Sequence, residues 1–334
     1  MNKIRFIVVI LIAAAAFAFV ACNRNNSRTG GTASTPAPAT TTAPASGPAT
    51  WTRVADTTFG ENSIIAIAYV NNRWVAGGGD GRIAYSTDNG VTWTRAADST
   101  IWNYGNRTAG INGIAYGNNR FVAVGSFGKM AYSADGVSWT AIADSTFGGD
   151  YIINSVVFAN NRFVAVGWGG QIAYSADGVS WTAVADSTFG SSNIKAIAFA
   201  NNRFVAGSQH GSMAYSADGV SWTAVADSTF KITAIAFANN RFVAVGYDNI
   251  AYYSADGRSW TAVAGSYNTF GISWGNNRFV AVGQKGSIAY STDGATWTTV
   301  ADNTFGTNEI KAVAYGNGRF VAVGQGGRMA YCDW

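Results

Sequence analysis

Acid–base chemistry needs carboxylates that can pair, and this 334-residue chain has only two glutamates, Glu61 and Glu309. Both stand just before the first strand of a repeated unit, one in the first copy and one in the last. Closing the copies into a ring would make them neighbours, and paired carboxylates are the parts of a glycosidase. They are the basis for an enzymatic reading, set against the simpler one of polar loop residues. Metal chemistry is poorly supplied. There is one histidine, His210, so a site built from several histidines is excluded. A Ser-His-Asp triad would have to use the same residue, which reads as an exposed loop histidine. The two cysteines are Cys22, directly after the N-terminal apolar run, and Cys332, which stands where the other units carry serine. Cys332 is expected to be a quiet, partly buried thiol. Arginines recur once per unit beside a turn, at Arg73, Arg120, Arg162, Arg203, Arg241, Arg278 and Arg319. That regularity marks a scaffold position and not a convergent anion cluster. Arg82, Arg107 and Arg258 fall elsewhere in the unit. The expectation is no catalytic residue, no metal and no cofactor.

The elements that position these residues follow from repetition. Asn-Asn-Arg-aromatic-Val-Ala occurs at Asn71, Asn118, Asn160, Asn201, Asn239 and Asn276, and Asn317-Gly318-Arg319-Phe320-Val321-Ala322 is a seventh copy. A Gly-containing turn and Ile/Met-Ala-Tyr follow, with tyrosines at Tyr85, Tyr132, Tyr174, Tyr215, Tyr252, Tyr290 and Tyr331. A Ser-x-Asp turn then leads to Trp-Thr, at Trp93, Trp139, Trp181, Trp222, Trp260 and Trp297. The period of about 40 residues suits four short strands per unit. In residues 194–227 the strands read 194–200, 203–208, 212–216 and 222–226. Asn-Asn supplies the positive φ that a two-residue hairpin turn requires. No stretch shows helical periodicity. One such sheet cannot bury both faces, whereas seven packed around an axis can. The last unit stops after its third strand, and an orphan fourth strand, 51–55, precedes the first. The expected fold is therefore all-β: a seven-bladed propeller over 51–334, four antiparallel strands per blade. Strand 51–55 completes the last blade and removes an open edge.

Ahead of the propeller, residues 1–5 carry two positive charges and Phe6 to Ala21 is an uninterrupted apolar run. This is the pattern of a secretory signal. At 16 residues the run is short for a membrane-spanning helix, which needs about 20. It ends in Phe19-Val20-Ala21-Cys22, which resembles a bacterial lipobox and implies cleavage after residue 21 and lipidation of Cys22. Residues 22–50 hold all four prolines and no large apolar side chain, so they read as a disordered tether. The expected location is the bacterial cell envelope or surface, with the membrane reached through the lipid anchor only. The formal charge is +4, less the two positive charges of Lys3 and Arg5 once the leader is removed. That leaves no electrostatic footprint for nucleic acid.

The turn Ser86-Thr87-Asp88-Asn89-Gly90-Val91-Thr92-Trp93 resembles the Asp-box of BNR-type propellers, and Ser133-Ala134-Asp135-Gly136-Val137-Ser138-Trp139 is a copy one residue shorter. Over 51–334 the chain is similar to photosystem II stability/assembly-factor-like repeat proteins and, more distantly, to sialidase-type propellers. The resemblance implies the fold and a structural role for the turns. A sialidase likeness would also imply an arginine triad, a Tyr/Glu nucleophile pair and an Asp acid. No Arg-Ile-Pro motif is present and the arginines do not cluster, so that activity is not carried over.

Where the copies differ points to where a ligand would sit. The tips between strands two and three read Gly79-Asp80, Ser126-Phe127, Trp168-Gly169, Gln209-His210, Tyr247-Asp248, Gln284-Lys285 and Gln325-Gly326. The connections between blades also vary, the longest being 101–110. Antiparallel strands bring both sets to one face and the constant turns to the other. The candidate ligand face is Asp80, Trp102, Tyr104, Arg107, Phe127, Trp168, His210, Tyr247, Lys285 and Gln325. Aromatic tips with polar neighbours suit recognition of a protein or a glycan. The second residue of each first strand varies too (Ile65, Asn112, Asn154, Lys195, Thr233, Phe270, Lys311) and is expected at the channel mouth. The reading is a monomeric, non-catalytic surface lipoprotein that binds a protein partner. The alternatives are a multivalent lectin and a glycoside-active enzyme.

Overall fold

Alternation of small and large apolar residues in seven copies produces seven four-stranded antiparallel sheets. The computed structural model describes residues 50–334 except 56–57, 97–99, 144–145, 227, 248–249, 265–267 and 303. The leader, Cys22 and the tether lie outside the described residues. The innermost strands of blades one to seven are Ile64–Val70, Ile111–Gly117, Ile153–Ala159, Ile194–Ala200, Ile232–Ala238, Thr269–Gly275 and Ile310–Gly316. Outer strands are short: in blade four the third is Met213–Ser216 and the fourth only Thr223–Ala224. The ring closes as the orphan strand requires. Thr52 pairs with Tyr331 and Arg53 with Ala330, and Val54 N–H adds a bond to the Met329 carbonyl at 2.9 Å.

Both residues of each Asn-Asn turn have positive φ, such as 48° and 56° at Asn160 and Asn161. These are hairpin turns whose twist matches the strands. The aromatic of the repeated string is the core: Trp74, Phe121, Phe163, Phe204, Phe242, Phe279 and Phe320 are all buried. Each contributes about 1.5–3 kcal/mol by leaving water. Blade five departs from the pattern. Its third strand, Ile250–Ser254, has one extra residue, and Tyr253, not Tyr252, pairs with Val243 as Tyr215 pairs with Val205. Matching Ile-Ala-Tyr forward places the repeat tyrosine at 252, but the register is set backward from Ser254, the anchor of the following turn. Tyr252 instead turns inward and packs on Phe230, with ring centroids 4.1 Å apart.

Each first strand carries a register shift at its second residue, between Ile64 and Ala66 in blade one and likewise in the other six. A bulge of this kind re-aims one side chain. Here it turns the variable residue toward the ring axis.

Candidate binding face and axial cavity

The two ends of the ring are held by different means. At the constant end, the repeat arginine of one blade donates to a backbone carbonyl of the next blade's Ser-x-Asp turn. Arg120 reaches the Asp177 carbonyl and Arg241 the Asp293 carbonyl, both at 2.6 Å; Arg73 and Arg203 bond Asp135 and Asp256 in the same way. Arg319 carries the link across the closure to Asn89 at 3.0 Å. Each guanidinium also lies over its own blade's tyrosine, Arg120 at 4.7 Å from the Tyr132 centroid. The Ser-x-Asp carboxylates are occupied within their turns. Asp135 accepts from the N–H groups of Val137 and Ser138 at 2.8 and 2.9 Å and from the Ser133 hydroxyl at 3.0 Å. Burial would raise the Asp88 carboxyl, but bonds from Thr92, Ser86 and Val91 outweigh it and hold it at about 2. The scaffold role expected for the repeat arginines is thus visible in their bonds. Between blades six and seven Trp334 takes over. It lies under the Arg278 guanidinium at 4.3 Å and edge-on to Tyr290 at 4.7 Å.

At the variable end the tips bond backbone to backbone. Trp168 N–H donates to the Ile152 carbonyl at 2.9 Å and Gln325 N–H to the Glu309 carbonyl at 2.9 Å. The tip then abuts the next blade. A Cβ on Gly170 (φ +70°) would stand 2.1 Å from the Gly190 carbonyl oxygen, and one on Gly327 2.1 Å from that of Gly60. The connections carry a constant element that the comparison of tips overlooked, Thr-Phe-Gly at 58–60, 146–148, 188–190 and 304–306. Its phenylalanines Phe59, Phe147, Phe189 and Phe305 are buried, and its glycine carbonyls meet the preceding tip. The recurrence of Thr-Phe ahead of the first strand in five of the seven units was the available signal.

On this frame the candidate residues fall into distinct groups. Tyr104, on the small hairpin Asn103–Tyr104/Arg107–Thr108, stacks parallel on Phe127 with centroids 4.7 Å apart. Arg107 lies over the other partner of that stack, 6.0 Å from the Phe127 centroid, and Lys129 lies 5.7 Å from that of Tyr104. Phe127 holds φ 56°, in the left-handed region, and is half-buried, packed against the core. Trp168 is 38% exposed, and beside it stands Tyr151, 40% exposed, whose ring would contact a Cβ on Gly169 at 2.9 Å. Tyr151 was not among the expected residues, although it lies in the connection entering blade three. Tyr104, Tyr151 and Trp168 are three of the four large hydrophobic residues exposed among the described residues. All three lie over blades one to three.

Trp102 must be removed from the face. It is fully buried, in the turn Thr100–Trp102, and packs against Gly81 and Gly125. The hairpin after it folds back, Ala109 N–H donating to the Trp102 carbonyl at 2.6 Å, so the indole lies beneath the loop and not on it. Asp80 is paired with Arg82 at 3.0 Å and serves its own tip. His210 is exposed and its ring meets the Gln209 amide at 3.0 Å. Lys285 and Gln325 are exposed on the tips of blades six and seven, away from the aromatic group. Asp248 lies outside the described residues. Glu309 pairs with Lys311, and Glu61 is exposed in the connection entering blade one.

Cys332 is buried, more deeply than expected. Burial, then the neighbouring Asp333, pushes its thiol up to about 11.

The seven bulged residues meet Tyr247 around an axial cavity of about 210 Å³. Asn112 donates to the Ile153 carbonyl at 3.0 Å and Asn154 to that of Ile194 at 2.7 Å, each linking its blade to the next. Thr233 bonds the Thr269 carbonyl at 2.6 Å. Tyr247 stands edge-on to Phe270, and burial followed by the Glu309 carboxylate raises its phenol.

Residues 133–270 match the DUF6242 beta propeller domain. No curated protein matches the chain. Among solved structures, YCF48 bound to D1 peptide is similar at 16% identity and a TM-score of 0.68, over 86% of this chain and 97% of that one. YCF48 from Cyanidioschyzon merolae is similar at 19% identity and 0.65, over 84% and 98%. A catalytically inactive virginiamycin B lyase from Staphylococcus aureus with quinupristin is similar at 8% identity and 0.70, over 85% and 99%. What these likenesses share with the chain is the fold: it is a β-propeller, matched across the middle of its ring by the DUF6242 beta propeller domain.

Proposed function

We propose that this chain is a non-catalytic, surface-anchored lipoprotein that recognises a protein partner through the variable face of its propeller. The observation that carries this reading is the concentration of Tyr104, Tyr151 and Trp168 over blades one to three, flanked by Arg107 and Lys129. Exposed aromatics beside cations are the anchor types of protein interfaces. The likeness to YCF48 with a bound D1 peptide supports a peptide or protein ligand. The constant-end turns are read as Asp-boxes with a structural role, their carboxylates being occupied by their own backbone. Cys22 is read as the lipid site, 22–50 as the spacer, the envelope as the location, and the molecule as a monomer.

Selection of a displayed peptide library on the purified protein, in parallel with a glycan array, tests the reading. Enriched peptides should bind Trp168→Ala about tenfold more weakly, a loss of about 1.4 kcal/mol. Glycan hits without peptides would replace the reading with the lectin. Turnover of a chromogenic glycoside, lost in Glu309→Gln, would replace it with the enzyme.

A further inference from the structure

The axial cavity holds a charge that its own walls leave uncompensated. Its lining combines two ammonium groups, Lys195 and Lys311, with Tyr247, the side-chain amides of Asn112 and Asn154, and Phe270. Lys311 is committed: it pairs with Glu309 and lies 4.7 Å from the Phe270 centroid. Lys195 has one acceptor, the Asn154 Oδ1 at 3.3 Å, and among the described residues no carboxylate lines the cavity. One amide N–H of Asn112 and one of Asn154 are spent on the next blade's carbonyls. What remains directed inward is therefore an ammonium with spare donors, a phenol and one aromatic wall. A partly buried cation with a single neutral acceptor is costly unless something anionic joins it. Burial accordingly lowers the Lys195 pKa.

The geometry points to the axial cavity as a carboxylate-binding site, in which Lys195 forms the ion pair and Phe270 receives the apolar body that bears the acid. The chain itself aims the residue there. The bulge between Ile194 and Ala196 takes Lys195 out of the strand alternation and turns its side chain to the axis. The carboxylate has two possible sources. A small free acid of this volume fits within the walls. An acidic side chain from a protein seated on the variable face would enter from above, past Tyr247. The site is separate from the aromatic group over blades one to three, so its failure leaves that group's role untouched.

The test is calorimetric titration of the full chain, in detergent, with succinate, with succinamide as the uncharged control, and with the blocked peptide acetyl-Ala-Glu-Ala-amide. Succinate or the peptide should bind and succinamide should not; which of the two binds identifies the source. Lys195→Met should weaken binding at least about tenfold, while Arg95→Gln, on an exposed outer strand, should not change it. NMR of isotopically labelled lysines in the unsubstituted protein gives a reading that does not depend on a variant folding. The acid that binds should shift the Lys195 signal more than that of any other lysine. No binding by either acid, equal binding of succinamide, or wild-type affinity in Lys195→Met would overturn the assignment.

Discussion

The two ends of this ring solve the same problem with opposite parts of the residue. At the constant end, neighbouring blades are joined by side chains, the guanidinium of one blade reaching a carbonyl in the turn of the next. At the variable rim the tips meet the next blade through backbone, with Gly170 and Gly327 pressed against carbonyls of the following connection, and side chains bridge blades there only around the axis, at Asn112, Asn154 and Thr233. The consequence is a division of freedom. Where a side chain assembles the ring, its identity is constrained in every copy. Where bare backbone does so, the adjoining side chains are released, and Phe127, Trp168, His210 and Lys285 occupy equivalent tips with unrelated chemistry.

This contrast can be broken or sharpened by experiment. The largest effect should come from acting on all constant turns at once. The carboxyls of Asp88, Asp135, Asp177, Asp218, Asp256 and Asp293 are lowered in the fold. A depressed carboxyl stabilises the fold fully above its unfolded value of about 4 and loses that contribution as pH falls through the folded value. For Asp88 the folded value is about 2. The calorimetric Tm should therefore hold above about pH 4 and drop steeply between about 4 and 2; a flat Tm across that window would remove the turns from the account of stability.

Next comes Gly170→Ala at the variable end. It combines a left-handed φ with a 2.1 Å approach to a carbonyl oxygen, and should cost about 3 kcal/mol in denaturant unfolding. A cost near that of an ordinary surface change would show that the tips do not join blades. The smallest and sharpest test is a pair. Arg120→Met, losing a charged hydrogen bond and its seat on Tyr132, should cost about 1–2 kcal/mol. Trp168→Ala should stay within about 0.5 kcal/mol of the parent. Equal losses would erase the distinction between the two ends.

Much of the ring was legible because repetition lets the chain be compared with itself. The seven units, the Asn-Asn turns and the closure by 51–55 follow from spacing alone, and Thr52 opposite Tyr331 bears the last of these out. The convergence of the seven second-position residues on one cavity followed from their variability against a constant strand. Trp102 was not legible, because a tryptophan in a long polar connection reads as exposed until the hairpin behind it is seen to fold over it. Tyr151 was missed for the complementary reason: it adjoins Ile152 and Ile153 and so reads as the start of the strand. The shift from Tyr252 to Tyr253 shows that register is dictated by the serine anchoring the next turn and not by the nearest matching string.

The strand that closes the ring also decides which way the molecule points. Trp51 precedes Thr52, whose partner Tyr331 adjoins Cys332 and Asp333 at the constant end, where Asn276 of the sixth Asn-Asn turn bonds the Trp334 carbonyl. The chain thus enters the propeller at Trp51 on the side opposite Tyr151 and Trp168. Were the protein held by its N-terminus, as proposed, its aromatic rim would face away from the point of attachment.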